Sequence, residues 1–331
     1  MAAAMLIPTV IGLIAIVGLL IYQERLVVDW KNRSFRFQKP PIYVEEPGHE
    51  RTGHRYLFDK TLGWRNIPNW SGVTGGKELV INSKGLRDRE YEYEKPVGVK
   101  RILVLGDSYT WGYGVRNDEI YTEFLERRLA AEGKEWQVIN SGVSGYGTDQ
   151  EYLWFKSEGI KYQPDLVVVA FFVLNDPQNN TASAQYGLGK PVFLDTNLTK
   201  LQAPVLGPQE LHKVVPGLDD LDMSISLLRA LGDKCREIGS RLLVMKFGFH
   251  GEKESNAGKA FDRDFAAGVE QQVEGAVLFD LDAECFKREL SFFKMVEGNI
   301  DGHWNAFGHK LVAEMLHDFI VPRTSELLGG P

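Results

Sequence analysis

The sequence predicts an α/β fold in which helices cover both faces of a parallel sheet. Strand-length apolar runs alternate with helix-length amphipathic stretches, the order that links parallel strands through crossover helices. The run Leu166 to Phe172 is apolar throughout, as a strand buried on both faces should be. Polar or glycine-containing turns follow three of the runs, and ligand sites in open parallel sheets lie outside strand carboxyl ends.

Taken in order, the first strand is Arg101 to Leu105, an apolar run with charge before it and Gly106 after it. It delivers Gly106-Asp107-Ser108 to the sheet edge, and Asn117 to Ala131 then has a helical pattern. The second strand, Trp136 to Asn140, ends in Ser141-Gly142-Val143-Ser144-Gly145. A helix follows, with Thr148 as expected N-cap and Glu151 three residues on, a capping-box signature. The third strand ends at Leu174-Asn175-Asp176-Pro177. Regularity is then lost between about 178 and 220, a lid-like insertion longer than an ordinary loop. A helix over Met223 to Ile238, the strand Arg241 to Phe247 and a helix over Phe261 to Val273 come next. The chain closes with the short strand Val277 to Phe279 and a last helix capped by Asn305.

The first thirty residues differ from the rest. No residue from Ala2 to Tyr22 is charged, and roughly 20 apolar residues suffice to span a bilayer. Neither a basic start nor a small-residue cleavage site is present, so the reading is an uncleaved anchor over 1–30 rather than a signal peptide. Arg25, Lys31, Arg33, Arg36 and Lys39 all follow the span, which by the positive-inside rule favours a cytoplasmic body. Residues 31–96 read as a connecting segment with short strands near Leu62–Arg65 and Glu78–Asn82, and Trp64 and Trp70 as packing anchors. The main domain is 97–331. A net charge of -7 offers no basic footprint for nucleic acid. Cys235 and Cys285 exclude a disulfide framework and read as two separate thiols.

Three turns at one sheet edge, with Asp301-Gly302-His303 just before the last helix, supply the parts of serine acyl transfer. Ser108 is the candidate nucleophile, His303 the base and Asp301 the acid that orients the imidazole. The backbone N–H groups of Ser108 and Gly142 and the side-chain amide of Asn175 are candidate oxyanion donors. Ser144 is a rival nucleophile, but Gly142-Val143-Ser144-Gly145-Tyr146 misses the Gly-x-Ser-x-Gly elbow at its last position. Asp107 and Asp176 read as organisers of their turns, and His309 as a packed or surface histidine. Tyr109, Trp111, Tyr113 and Trp304 lie close to the centre in sequence, as sugar-stacking rings or as walls of an acyl pocket.

These blocks resemble those of the SGNH/GDSL hydrolases over about residues 97 to 320. They comprise a Gly-Asp-Ser block, a glycine after the second strand, Asn-Asp after the third and an Asp-His pair near the end. The resemblance implies a flavodoxin-like three-layer α/β/α sandwich and an esterase, lipase or carbohydrate acetylesterase activity, with no metal or organic cofactor. It implies the four family roles for Ser108, Gly142, Asn175 and His303, with Asp301 completing the triad. Two departures stand out: Val173-Leu174 precedes Asn175-Asp176 where Gly-x is usual, and one glycine rather than two residues separates Asp301 from His303. The expected function is a membrane-anchored serine esterase, outside the cytoplasm, acting on an acylated small molecule or a surface polysaccharide. The alternative is a non-catalytic subunit that keeps the fold and joins a membrane complex.

Overall fold

The computed structural model describes residues 26–29, 34–37, 43–44, 56–74, 76–205, 218–248, 256–299 and 302–328. The chain divides into two compact units, residues 1–57 and 58–331. In the first unit Leu26–Asp29 pairs antiparallel with Ser34–Phe37. The expected anchor therefore does not run to residue 30, because residues 26–29 are strand. Its apolar part, Ala2 to Tyr22, lies outside the described residues, and among those described no helix is long and apolar enough to cross a membrane.

The second unit is built on five parallel strands: β1 (Lys100–Gly106), β2 (Trp136–Asn140), β3 (Leu166–Phe172), β4 (Arg241–Phe247) and β5 (Ala276–Asp280). Their order across the sheet is β5-β4-β3-β1-β2. From β1 the chain passes to β2 on one side and then to β3 on the other, so a crevice opens at the carboxyl end of β1. Register places Val104 of β1 beside Asn140 of β2 and Val168 of β3. The turns after these three strands are therefore neighbours at one edge.

Five helices cover the sheet: α1 (Tyr121–Ala131), α2 (Thr148–Ser157), α3 (Asp220–Glu237), α4 (Asn256–Gln272) and α5 (Ala306–Ile320). Strand side chains alternate between faces. Ile102, Val104, Val168 and Met245 form one core with Leu125 and Leu129 of α1 and Val312 and Leu316 of α5. The alternate set faces the other helices: the Phe171 and Phe265 rings stack at 4.4 Å, and Gly232 of α3 lies against Leu242. Because both faces are buried, the strands need no polar alternation, which is why their sequences read as apolar runs.

Two local expectations change. The helix predicted from Asn117 begins as a separate turn at Asn117–Glu119 and restarts at Tyr121, with Ile120 in extended backbone between. The N-cap of α2 is Gly147, not Thr148, and Glu151 does not reach back to it. A tertiary partner replaces the local cap: Asn180 Oδ1 accepts the Asp149 N–H at 3.2 Å. Asn305 does cap α5, its Oδ1 accepting the Gly308 N–H at 2.8 Å. Both cysteines are free thiols, and burial pushes each up to about 12.

Residues 58–96 pack within the same unit as the sheet. Ser71–Thr74 and Lys77–Val80 form an antiparallel hairpin, and Leu79 and Ile81 cluster with Trp111. Trp64 is fully buried and its indole N–H donates to the Ser144 carbonyl at 3.2 Å, a packing anchor as its size suggested.

Candidate active site

β1 ends at Gly106, and Ser108 opens a helical turn, Ser108–Trp111, capped by Asp107. Gly106 is needed there because a Cβ would fall 2.1 Å from Thr110 Oγ1. Asp107 is buried and makes two bonds: Oδ1 accepts the Tyr109 N–H at 2.9 Å and Oδ2 accepts from Asn175 Nδ2 at 2.7 Å. Its carboxylate thus ties the turn after β1 to the turn after β3. Burial raises its pKa, while these two bonds and the nearby His303 oppose the rise.

Ser108 Oγ lies 2.7 Å from His303 Nε2, although the two residues are far apart in sequence. Gly302 supplies the bend before His303 with φ +74, a left-handed conformation that glycine adopts without steric cost. The Tyr109 ring stacks on the imidazole at 4.6 Å between centroids, and Tyr113 tilts against it at 4.9 Å. The Tyr109 hydroxyl donates to the Gly302 carbonyl at 3.2 Å, so the ring that flanks the histidine also holds the bend preceding it. Asp301 lies outside the described residues.

The oxyanion side is more mixed. No described group accepts the Ser108 N–H, and Asn175 spends one amide hydrogen on Asp107, which leaves the second for a ligand. Gly142 is placed differently from expectation. Its N–H donates to Asn140 Oδ1 at 2.9 Å, and it lies so close to the turn after Ser108 that a Cβ would sit 2.4 Å from the Trp111 nitrogen. Gly142 thus allows the two loops to pack, and its donor is already committed. Three residues on, Gly145 has φ +83, and its N–H donates to no described residue. Nothing in Gly142-Val143-Ser144-Gly145 as a sequence separates the two glycines; the committed N–H of Gly142 and the left-handed φ of Gly145 do.

Of the four aromatics near the centre, Trp111 and Trp304 are buried and structural, Tyr109 is nearly so, and Tyr113 is half-exposed. Ser144 is buried, and among the described residues no hydrogen bond joins it to a histidine. Asp176 Oδ2 accepts the Phe172 N–H at 2.6 Å, a turn role, and its burial beside Glu151 and Asp107 raises its pKa. No group of described residues could hold a metal ion.

The family model of the GDSL-like lipase/acylhydrolases matches residues 104–311, more than half of the chain and all of the described site. The chain belongs to this family. It is a serine hydrolase acting on ester bonds. Solved structures with similar folds include TesA, 19% identical with TM-score 0.45, covering 67% of this chain and 99% of that one. The esterase EstA from Pseudoalteromonas sp. is 17% identical with TM-score 0.44, covering 68% of this chain and 99% of that one. An acetyl xylan esterase variant from Geobacillus stearothermophilus is 16% identical with TM-score 0.45, covering 67% and 94% respectively. No curated protein matches the chain.

In this GDSL-like hydrolase a further residue, not legible in the sequence, frames the turn that Ser108 opens. Arg87, buried in the connecting segment, donates from Nη1 to the Trp111 carbonyl at 2.9 Å and to that of Gly112, and from Nη2 to that of Val115. Nothing in the charged Arg87-Asp88-Arg89 run marks this role, and only the fold reveals the carbonyls that Arg87 collects.

His309 shows how burial fixes a protonation state. It is 1% exposed, its Nδ1 accepts the Tyr121 N–H at 3.3 Å, and burial pushes its pKa down to about 3. The unfolded chain therefore binds a proton that the folded protein excludes between the ordinary histidine value of 6.5 and about 3. Stability from this group is complete above 6.5 and falls as the solution is acidified through that window, by about 1.4 kcal/mol per pH unit. Urea unfolding of His309→Gln should show a shallower loss of stability over the same range than wild type. Parallel curves would show that His309 carries no such linkage.

Proposed function

We propose that the protein is a membrane-anchored serine esterase that hydrolyses, or transfers, a short acyl group on a carbohydrate or other surface polymer. The 2.7 Å contact between Ser108 Oγ and His303 Nε2 at the carboxyl edge of the sheet carries this reading. The sheet order, with β1 between β2 and β3, accords with a flavodoxin-like three-layer sandwich.

Ser108 Oγ attacks the ester carbonyl carbon while its proton passes to His303 Nε2, with Asp301 holding the imidazole tautomer. The carbonyl oxygen becomes an oxyanion facing the Ser108 N–H and the free hydrogen of Asn175 Nδ2. Its third donor is the Gly145 N–H in place of Gly142, because breaking the Gly142 bond to Asn140 would cost what the new bond returned. Collapse expels the alcohol with the proton from His303 and leaves acyl-Ser108. Water, deprotonated by His303, or a second alcohol then takes the acyl group.

The membrane part of the reading rests on the uncharged stretch Ala2 to Tyr22. The proposed polymer substrate favours a hydrolase outside the cytoplasm, against the bias of the basic residues that follow the span. Protease treatment of intact spheroplasts should degrade the domain; a protected domain would reverse the orientation.

The chemical test uses an alkyl fluorophosphonate. Wild-type protein should be labelled and Ser108→Ala should not. A crystal structure of the adduct should show the phosphoryl oxygen within hydrogen-bond distance of the Gly145 nitrogen and beyond that distance from Gly142. The opposite arrangement would return the third donor to Gly142. Equal labelling of wild type and Ser108→Ala would defeat the serine mechanism.

A further inference from the structure

The insertion after β3 forms a tight hairpin in which Ala184–Gln185 pairs antiparallel with Leu188–Gly189. Its two central residues, Tyr186 and Gly187, have φ of 54 and 79. Positive φ at both positions is the pattern of a type I′ turn, which favours Asn-Gly and disfavours a bulky side chain at the first position. The turn geometry by itself does not select tyrosine.

The base of the hairpin is held firmly. Ala184 and Leu188 are buried, and Lys190, directly after it, is buried with its ammonium on Asp149 and on the Asn179 carbonyl, the latter at 2.7 Å. The tip therefore has a defined position, and Tyr186 lies against Gly145. A Cβ added at Gly145 would fall 2.5 Å from Tyr186 Cε2, so the ring occupies the space that any larger residue at 145 would fill. Despite that contact Tyr186 is 54% exposed. Leu174, next to Asn175, is equally exposed.

A large aromatic kept in an unfavourable turn position, against a loop glycine at the site and about half open to solvent, is an observed strain that points to a use. We infer that Tyr186 is a specificity-determining residue whose exposed ring face walls the acyl pocket and limits the length of the acyl chain. The inference rests on the Ser108 esterase reading with Gly145 as oxyanion donor. The departing alcohol collects its proton from His303, between the Tyr109 and Tyr113 rings. Tyr186 stands on the Gly145 loop, taken here as the side of the acyl group.

The experiment measures kcat/KM of the full chain for p-nitrophenyl acetate and p-nitrophenyl octanoate in wild type, Tyr186→Phe, Tyr186→Asn and Ser108→Ala. Thermal unfolding is followed on the same samples. Tyr186→Asn restores the Asn-Gly pair the turn favours, so its Tm should rise or hold, while the octanoate-to-acetate ratio rises about tenfold. Tyr186→Phe, which keeps the ring, should keep the wild-type ratio. A merely structural tyrosine would give the reverse for Tyr186→Asn: a lower Tm with both esters falling together and the ratio unchanged, which overturns the inference. A change along a series of alcohol groups, with no change along acyl length, overturns it as well. If wild type and Ser108→Ala hydrolyse the esters equally, the esterase reading itself fails. If only Ser108→Ala is inactive and the ratio stays fixed, the inference about Tyr186 fails alone.

Discussion

Ser108→Ala should lower kcat for a short acyl ester by about ten-thousand-fold or more, with the fold intact. The loss is large because the 2.7 Å contact with His303 Nε2 is made by Ser108 Oγ itself. His303→Ala should cost a comparable factor, since serine at its ordinary pKa is a weak nucleophile without a base. The double variant should be barely worse than either single one, because members of a triad act as a unit. Both single variants should retain the wild-type Tm within a few degrees. Steady-state hydrolysis of p-nitrophenyl acetate with differential scanning calorimetry checks both parts. Additive losses in the double variant would argue that the two side chains act in separate steps.

Lys190→Met should destabilise the protein by about 3–5 kcal/mol, the usual cost of leaving one buried charge without its partner. Both side chains of the Lys190–Asp149 pair are fully buried. Burial pushes the lysine pKa down and the aspartate pKa up, the directions in which each would give up its charge, while mutual attraction and the short hydrogen bond oppose this. Deleting the ammonium leaves Asp149 with backbone N–H donors, among them that of Gln150 at 2.8 Å, and no compensating charge among the described residues. Lys190→Met combined with Asp149→Asn should recover much of the loss, because an amide is far less costly to bury than an unpaired carboxylate. Urea titration measures both. If the double variant is as unstable as the single one, Lys190 matters through packing and not through charge. The pair joins the insertion to α2, so partial unfolding of the hairpin carrying Tyr186 should accompany the single substitution.

The parallel sheet was legible in the sequence because burial on both faces demands apolar runs, and such runs survive without knowledge of their neighbours. The placement of Ser108 and Asn175 at strand ends and of His303 before the last helix was legible for a related reason: strand ends are local features. The capping box at Thr148 misled, because a local hydrogen-bond pattern gave way to a tertiary acceptor on Asn180. The aromatics near the centre misled in part, since nothing local distinguishes Trp111 and Trp304, which the core buries, from Tyr113, which keeps exposed surface.

By itself the sequence determined the strand succession, a serine at the end of the first strand, a histidine before the last helix and the family to which the chain belongs. Tertiary structure alone decided which donor is free and which is spent. Gly142 gives its N–H to Asn140, Asn175 divides its amide hydrogens, Arg87 gathers the carbonyls behind Ser108, and Tyr186 closes over Gly145. The reason is physical: a residue's type states how many hydrogen bonds it can make, but only the arrangement of distant segments settles where they go.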